Sequence, residues 1–204
     1  MMLESIPGPA GVLQLLQDLP VAAPQALAVV CHPHPLHGGS FNNKVVHLLA
    51  RTFNQLGAVS VRFNFRGVDG SAGGYDEGRG ERQDLQAVAA WAASRWPGLP
   101  LWLAGFSFGG FIAIQAAASL RPQRLVTIAP AVNYFTDHDI DVSAADWLLI
   151  QGGADDIVPL DEVLYFADNI RTQPSLVVLD GADHFFHGRL NDLKQAMLDY
   201  FPTD

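Results

Sequence analysis

The chain has 204 residues, 49% of them hydrophobic and 16% charged, with a formal net charge of −9. That size and apolar content suit one domain over 1–204 with a full core and a buried sheet. The acidic balance, with no Lys/Arg cluster along the chain, argues against nucleic acid or a membrane as partner, and no apolar run reaches the length of a bilayer span.

In chain order, the segment from Met1 to Pro7 has no basic stretch and no long apolar one, so no cleaved leader is expected. Strands are expected over 11–18, 26–32, 58–65, 101–105, 124–129, 147–152 and 175–180. Helices are expected over 43–56, 81–96, 108–120, 160–170 and 188–200, with Pro97, Pro122 and Pro174 just past three of them as stops. From residue 58 onward the strands are near-continuous apolar runs separated by helices. That predicts a mostly parallel sheet covered on both faces, with the functional loops at the carboxyl ends of the strands. Cys31, the single cysteine, has no internal disulfide partner, which fits a reducing cytoplasm, and its apolar neighbours mark it as a core residue.

The sharpest chemical signal is Gly105-Phe106-Ser107-Phe108-Gly109, lying between an apolar strand and a helix. This is the context of a nucleophile elbow, a strained turn that lifts a serine hydroxyl above the sheet. Glycines are needed on both sides because a Cβ there would strike the adjoining strand and helix. A nucleophilic serine needs a base and an acid. The chain order Ser…Asp…His points to the loop Gly153-Ala154-Asp155-Asp156-Ile157-Val158-Pro159 for the acid. Asp155 is favoured there, with Asp156 as the alternative and a helix cap as its other role. In Gly181-Ala182-Asp183-His184-Phe185-Phe186-His187-Gly188, His184 is favoured as base over His187, which falls at the start of the last helix. Asp180 and Asp183 are expected to make local turn hydrogen bonds.

The loop His32-Pro33-His34-Pro35-Leu36-His37-Gly38-Gly39 stands where one oxyanion-hole amide is required, the other coming from Phe108. Pro33 and Pro35 have no N–H, which leaves His34 first and Leu36 second. Its rival reading is a metal site built from His32, His34 and His37, weakened by the stiff prolines and the absence of an acid in the loop. The glycine-rich loop from Arg66 to Gly78 lacks the spacing of a phosphate cradle. Arg66 and Asp69 read as polar anchors, and Tyr75 as a possible pocket wall.

Together these residues resemble the α/β-hydrolase superfamily. The His32–Gly39 loop, Asn43-Lys44-Val45-Val46 and Phe63-Asn64-Phe65-Arg66-Gly67 make the chain similar to a group of small bacterial lidless serine hydrolases. The resemblance covers nearly the whole chain. It implies an α/β-hydrolase fold, a mostly parallel twisted sheet with helices on both faces and no cap domain. It also implies a triad of Ser107, Asp155 and His184. Only about 17 residues separate the strand ending near Ala129 from the one starting at Trp147, too few for a helical cap. An open site is therefore expected, with Phe41, Phe106, Phe108, Val132, Tyr134, Val158, Phe185 and Phe186 as pocket walls or core. The expected activity is hydrolysis of small-molecule carboxylic esters through an acyl-enzyme on Ser107, with no cofactor and no metal. Thioester or peptide hydrolysis on the same triad, a non-catalytic ligand-binding module, and a metal hydrolase at the histidine loop are the alternatives.

Overall fold

A computed structural model describes residues 2–135, 142 and 146–201. Its centre is an eight-stranded sheet in the order β1-β2-β4-β3-β5-β6-β7-β8. The strands are β1 (Met2–Gly8), β2 (Gly11–Asp18), β3 (Ala26–Cys31), β4 (Ala58–Phe63), β5 (Leu101–Phe106), β6 (Arg124–Ile128), β7 (Asp146–Gly152) and β8 (Ser175–Leu179). β1 and β2 run antiparallel at one edge, and the rest are parallel. The helices are α1 (Lys44–Gln55), α2 (Arg79–Arg95), α3 (Phe108–Leu120), α4 (Leu160–Asn169) and α5 (Leu190–Tyr200).

Alternation along each strand builds two cores. Leu27, Val29 and Cys31 of β3 face one side, where they meet Leu85 and Val88 of α2, Ile112 of α3 and Phe166 of α4. Ala26, Ala28 and Val30 face the other, against Val46, Leu49 and Phe53 of α1 and Leu193 and Met197 of α5. Because both faces are covered, every residue of β3 is buried, which is why it reads as an unbroken apolar run. Each large apolar side chain so buried contributes about 2 kcal/mol. α3 carries no charged residue and is buried on most sides, as a helix wedged behind the central strands should be.

β1 has no counterpart among the expected strands. It is an edge strand in which only Ile6 is buried, so the apolar alternation that marks a strand is missing. Other differences are at ends. α2 starts at Arg79, where the Glu81 carboxylate accepts the amides of Gly78 and Asp76. α5 starts at Leu190, because Phe186 and Gly188 have positive φ and cannot belong to a helix. The stretch expected to be too short for a cap falls largely on 136–141 and 143–145, outside the described residues.

The strand order fixes where the site forms. From β3 the chain winds outward to β4, then crosses back to β5 on the other side of β3. The loops after β3 and β5 therefore diverge and leave a crevice at the carboxyl edge of the sheet.

Candidate active site

Ser107 sits directly between β5 and α3 with φ 54° and ψ −119°, a conformation that non-glycine residues rarely adopt. Close packing forces it. A Cβ on Gly105 would lie 2.1 Å from the Gly109 carbonyl oxygen, and one on Gly109 would lie 2.5 Å from the carbonyl oxygens of Cys31 and His32. α3 thus starts hard against the ends of β5 and β3, and Ser107 has to stand up over the sheet edge. Its backbone is held by its N–H to Ile128 O (2.9 Å) and by Ala131 N–H to its own carbonyl (3.1 Å).

β7 and β8 lie on the same side of β5 and deliver the other two side chains. Ser107 Oγ lies 3.0 Å from His184 Nε2, and His184 Nδ1 lies 2.8 Å from Asp155 Oδ2. All three are nearly enclosed, at 9%, 3% and 7% exposure. Asp155 accepts more than the imidazole. Its Oδ1 takes the amides of Ile157 (2.9 Å) and Val158 (2.8 Å), and its Oδ2 also takes Gln151 Nε2 (3.0 Å). Burial pushes the Asp155 carboxyl up, but the hydrogen bonds from His184, Val158 and Ile157 outweigh it and hold the group below the usual carboxylate range. An ionised acceptor at Nδ1 keeps the proton there and leaves Nε2 free to accept from the serine hydroxyl. The Phe106 ring packs 5.2 Å from the imidazole and supports it.

The alternatives for acid and base point elsewhere. Asp156 is exposed, and the residue capping α4 is Pro159, so the helix-cap role is not found either. His187 is exposed and pairs with Asp183, Nδ1 to Oδ2 at 2.7 Å, while Asp183 also accepts the His187 amide.

The loop after β3 places His34 beside the elbow, with its ring 4.9 Å from that of Phe108. Among the described residues neither the His34 nor the Phe108 amide N–H has an acceptor. Leu36 N–H is occupied, donating to His34 Nδ1 at 3.2 Å. An oxyanion requires unpaired amide donors of this kind. The metal reading of this loop has no geometric support. His32 is buried, its Nδ1–H donates to Pro33 O (2.6 Å) and its Nε2 accepts Phe65 N–H (3.0 Å), so both nitrogens are used. No group of three His, Cys, Asp or Glu converges among the described residues. Burial also pushes the Cys31 thiol up, and it lies in the core.

The expected pocket walls divide. Tyr134 and Phe185 are exposed at 42% and 46%, and Tyr75 and Tyr134 stand 4.9 Å and 6.2 Å from the His34 ring. Leu36 and Ile157, from the loops after β3 and β7, add further exposed apolar surface. Phe41, Phe106, Phe108, Val158 and Phe186 are instead enclosed, which puts them in the interior rather than among the walls, the second of the two expected places. Val132 is buried as well and borders a separate cavity of about 330 Å³ against Tyr165 and Phe166 of α4. The polar anchors of the glycine-rich loop are real: Arg66 forks onto Asp84 (2.8 and 3.0 Å), and Asp69 accepts from Asn64 (3.1 Å). Sequence reading missed Gln151. A single Gln inside an apolar strand was the available signal.

Comparison with known proteins agrees with this architecture. Residues 22–145 match the family described as serine aminopeptidase, S33. An α/β serine hydrolase without lid from Xanthomonas campestris is 44% identical, with a TM-score of 0.93 over 97% of this chain and 92% of that one. An α/β serine hydrolase homologue from Coxiella burnetii is 41% identical, with a TM-score of 0.92 over 97% and 96%. At these identities both are relatives rather than the same protein. An uncharacterised protein of Rickettsia prowazekii is 36% identical over 188 residues, 87% of this chain and 79% of its own length. The chain therefore belongs to the serine aminopeptidase S33 family of serine hydrolases and carries the α/β-hydrolase fold.

Proposed function

We propose that the protein hydrolyses small carboxylic esters, with Ser107 as nucleophile, His184 as base and Asp155 as the acid that orients it. The observation that carries this reading is the continuous hydrogen-bonded line from Ser107 Oγ through His184 to Asp155. His184 Nε2 takes the Ser107 proton as Oγ attacks the ester carbonyl. The amides of His34 and Phe108 receive the developing oxyanion, at roughly 3 kcal/mol per donor. His184 then passes the proton to the leaving alcohol, and water repeats the sequence on the acyl-enzyme. The exposed Tyr134, Phe185, Leu36 and Ile157 offer an acyl group an apolar rim, which suits short acyl chains.

The family description supports a second reading, cleavage of short peptides from their amino end. A panel of p-nitrophenyl esters, matched thioesters and aminoacyl anilides separates them. Ester turnover should have the highest kcat/KM and should stop rising before about eight acyl carbons. Preferred turnover of the anilides moves the assignment to peptidase, and preferred turnover of the thioesters to thioesterase.

A further inference from the structure

Folding builds a basic cluster that the linear sequence does not show. Lys44, His47 and Arg51 follow an i, i+3, i+7 spacing, which puts them on one face of α1 along about 10 Å of helix. Lys194 faces them from α5. Two cavities of about 440 and 340 Å³ share His47, Leu48 and Arg51 as walls; the first also has Lys194, and the second Lys44. These volumes are in the range of small-ligand sites. The cluster holds both lysines of the chain, in a protein of net charge −9.

Unpaired cations also occur singly at Arg82 and Arg121 among the described residues, but here several converge on shared cavity walls. Arg62, Arg66, Arg79, Arg95 and Arg189 each meet a carboxylate. Among the described residues the side chains of Lys44, Arg51 and Lys194 make no ion pair or hydrogen bond. Among the described residues Asp18 is the sole carboxylate lining either cavity, and it already bonds Arg62 at 3.2 Å. Burial, then Arg62 and Arg51, push the His47 imidazole down, with Asp18 opposing, so the walls present a positive field. A recessed surface with a planar guanidinium and two ammonium groups matches phosphate oxygens in charge and geometry.

We propose that this trough between α1 and α5 binds a small phosphate-bearing molecule, at a site separate from Ser107. The test is calorimetric titration of the full chain with inorganic pyrophosphate at low ionic strength. Saturable one-to-one binding is expected, weakened tenfold or more in the triple variant Lys44→Gln/Arg51→Gln/Lys194→Gln and retained in Arg51→Lys. The His47 imidazole resonances should move, and its titration should shift upward, when pyrophosphate is added. Single Arg51→Gln and Lys194→Gln variants, each checked by its melting curve, give the same readout without a triple change. Absence of saturable binding, or binding undiminished in the variants, overturns the proposal. Sedimentation with phosphatidylglycerol vesicles but no binding of pyrophosphate overturns it in favour of a surface that reads lipid headgroups.

Discussion

Gln151 Nε2 donates to Asp155 Oδ2 at 3.0 Å while also donating to Val158 O at 2.8 Å. One amide thereby fixes both the carboxylate that faces His184 and the turn that carries it. Replacing Gln151 with Leu removes a hydrogen bond to a charged group, worth about 1.5–3 kcal/mol. We expect kcat on an ester substrate to fall by roughly tenfold or more, with KM little changed. An unchanged kcat would show that Asp155 keeps its place without this bond.

Asp155→Asn should lower kcat by on the order of 10⁴, because a neutral amide no longer selects the tautomer with the proton on Nδ1. Asp156→Asn, at an exposed position, should leave the rate near that of the parent. Steady-state kinetics of the two variants decide between the neighbours; the reverse pattern would move the acid to Asp156.

His184→Ala should abolish turnover, whereas His187→Ala should retain it, since His187 is turned toward Asp183 at the surface. An inactive His187 variant beside an active His184 variant would overturn the assignment of the base.

His32 should make stability depend on pH. Burial pushes its imidazole down to about 4 from 6.5, with the Pro33 carbonyl opposing and His34 adding to the fall. Between those values the unfolded chain binds a proton that the folded chain refuses. Stability is therefore full above about 6.5 and is lost as pH falls toward 4, by roughly 3 kcal/mol. In urea unfolding, the difference in stability between the parent and a His32→Gln variant should narrow over this window. A difference independent of pH would contradict the neutral, doubly bonded imidazole.

The sequence made the central strands, the elbow and the three loops that bring Ser107, Asp155 and His184 together legible, because parallel strands buried on both faces leave unbroken apolar runs and because Gly105 and Gly109 are demanded by contacts of 2.1 and 2.5 Å. β1 was not legible, since an edge strand with only Ile6 buried carries almost no pattern. Wall and interior were also not separable along the rim. Phe106 and Phe185 are both aromatic neighbours of His184 in space, yet Phe106 closes β5 with its side chain in the core while Phe185, on the loop after β8, faces solvent. The α1–α5 cluster escaped because Lys194 meets Lys44, His47 and Arg51 only after folding, and Gln151 because its partners Asp155 and Val158, though near in sequence, are set by the turn after β7 rather than by any residue pattern.

The central claim is that Ser107 is an activated nucleophile. Intact-mass spectrometry after incubation with a fluorophosphonate, with Ser107→Ala as control, tests it most directly. A single adduct on the parent protein, absent from the control, is the predicted result. No adduct on the folded parent, or an adduct that persists in the Ser107→Ala protein, would contradict it.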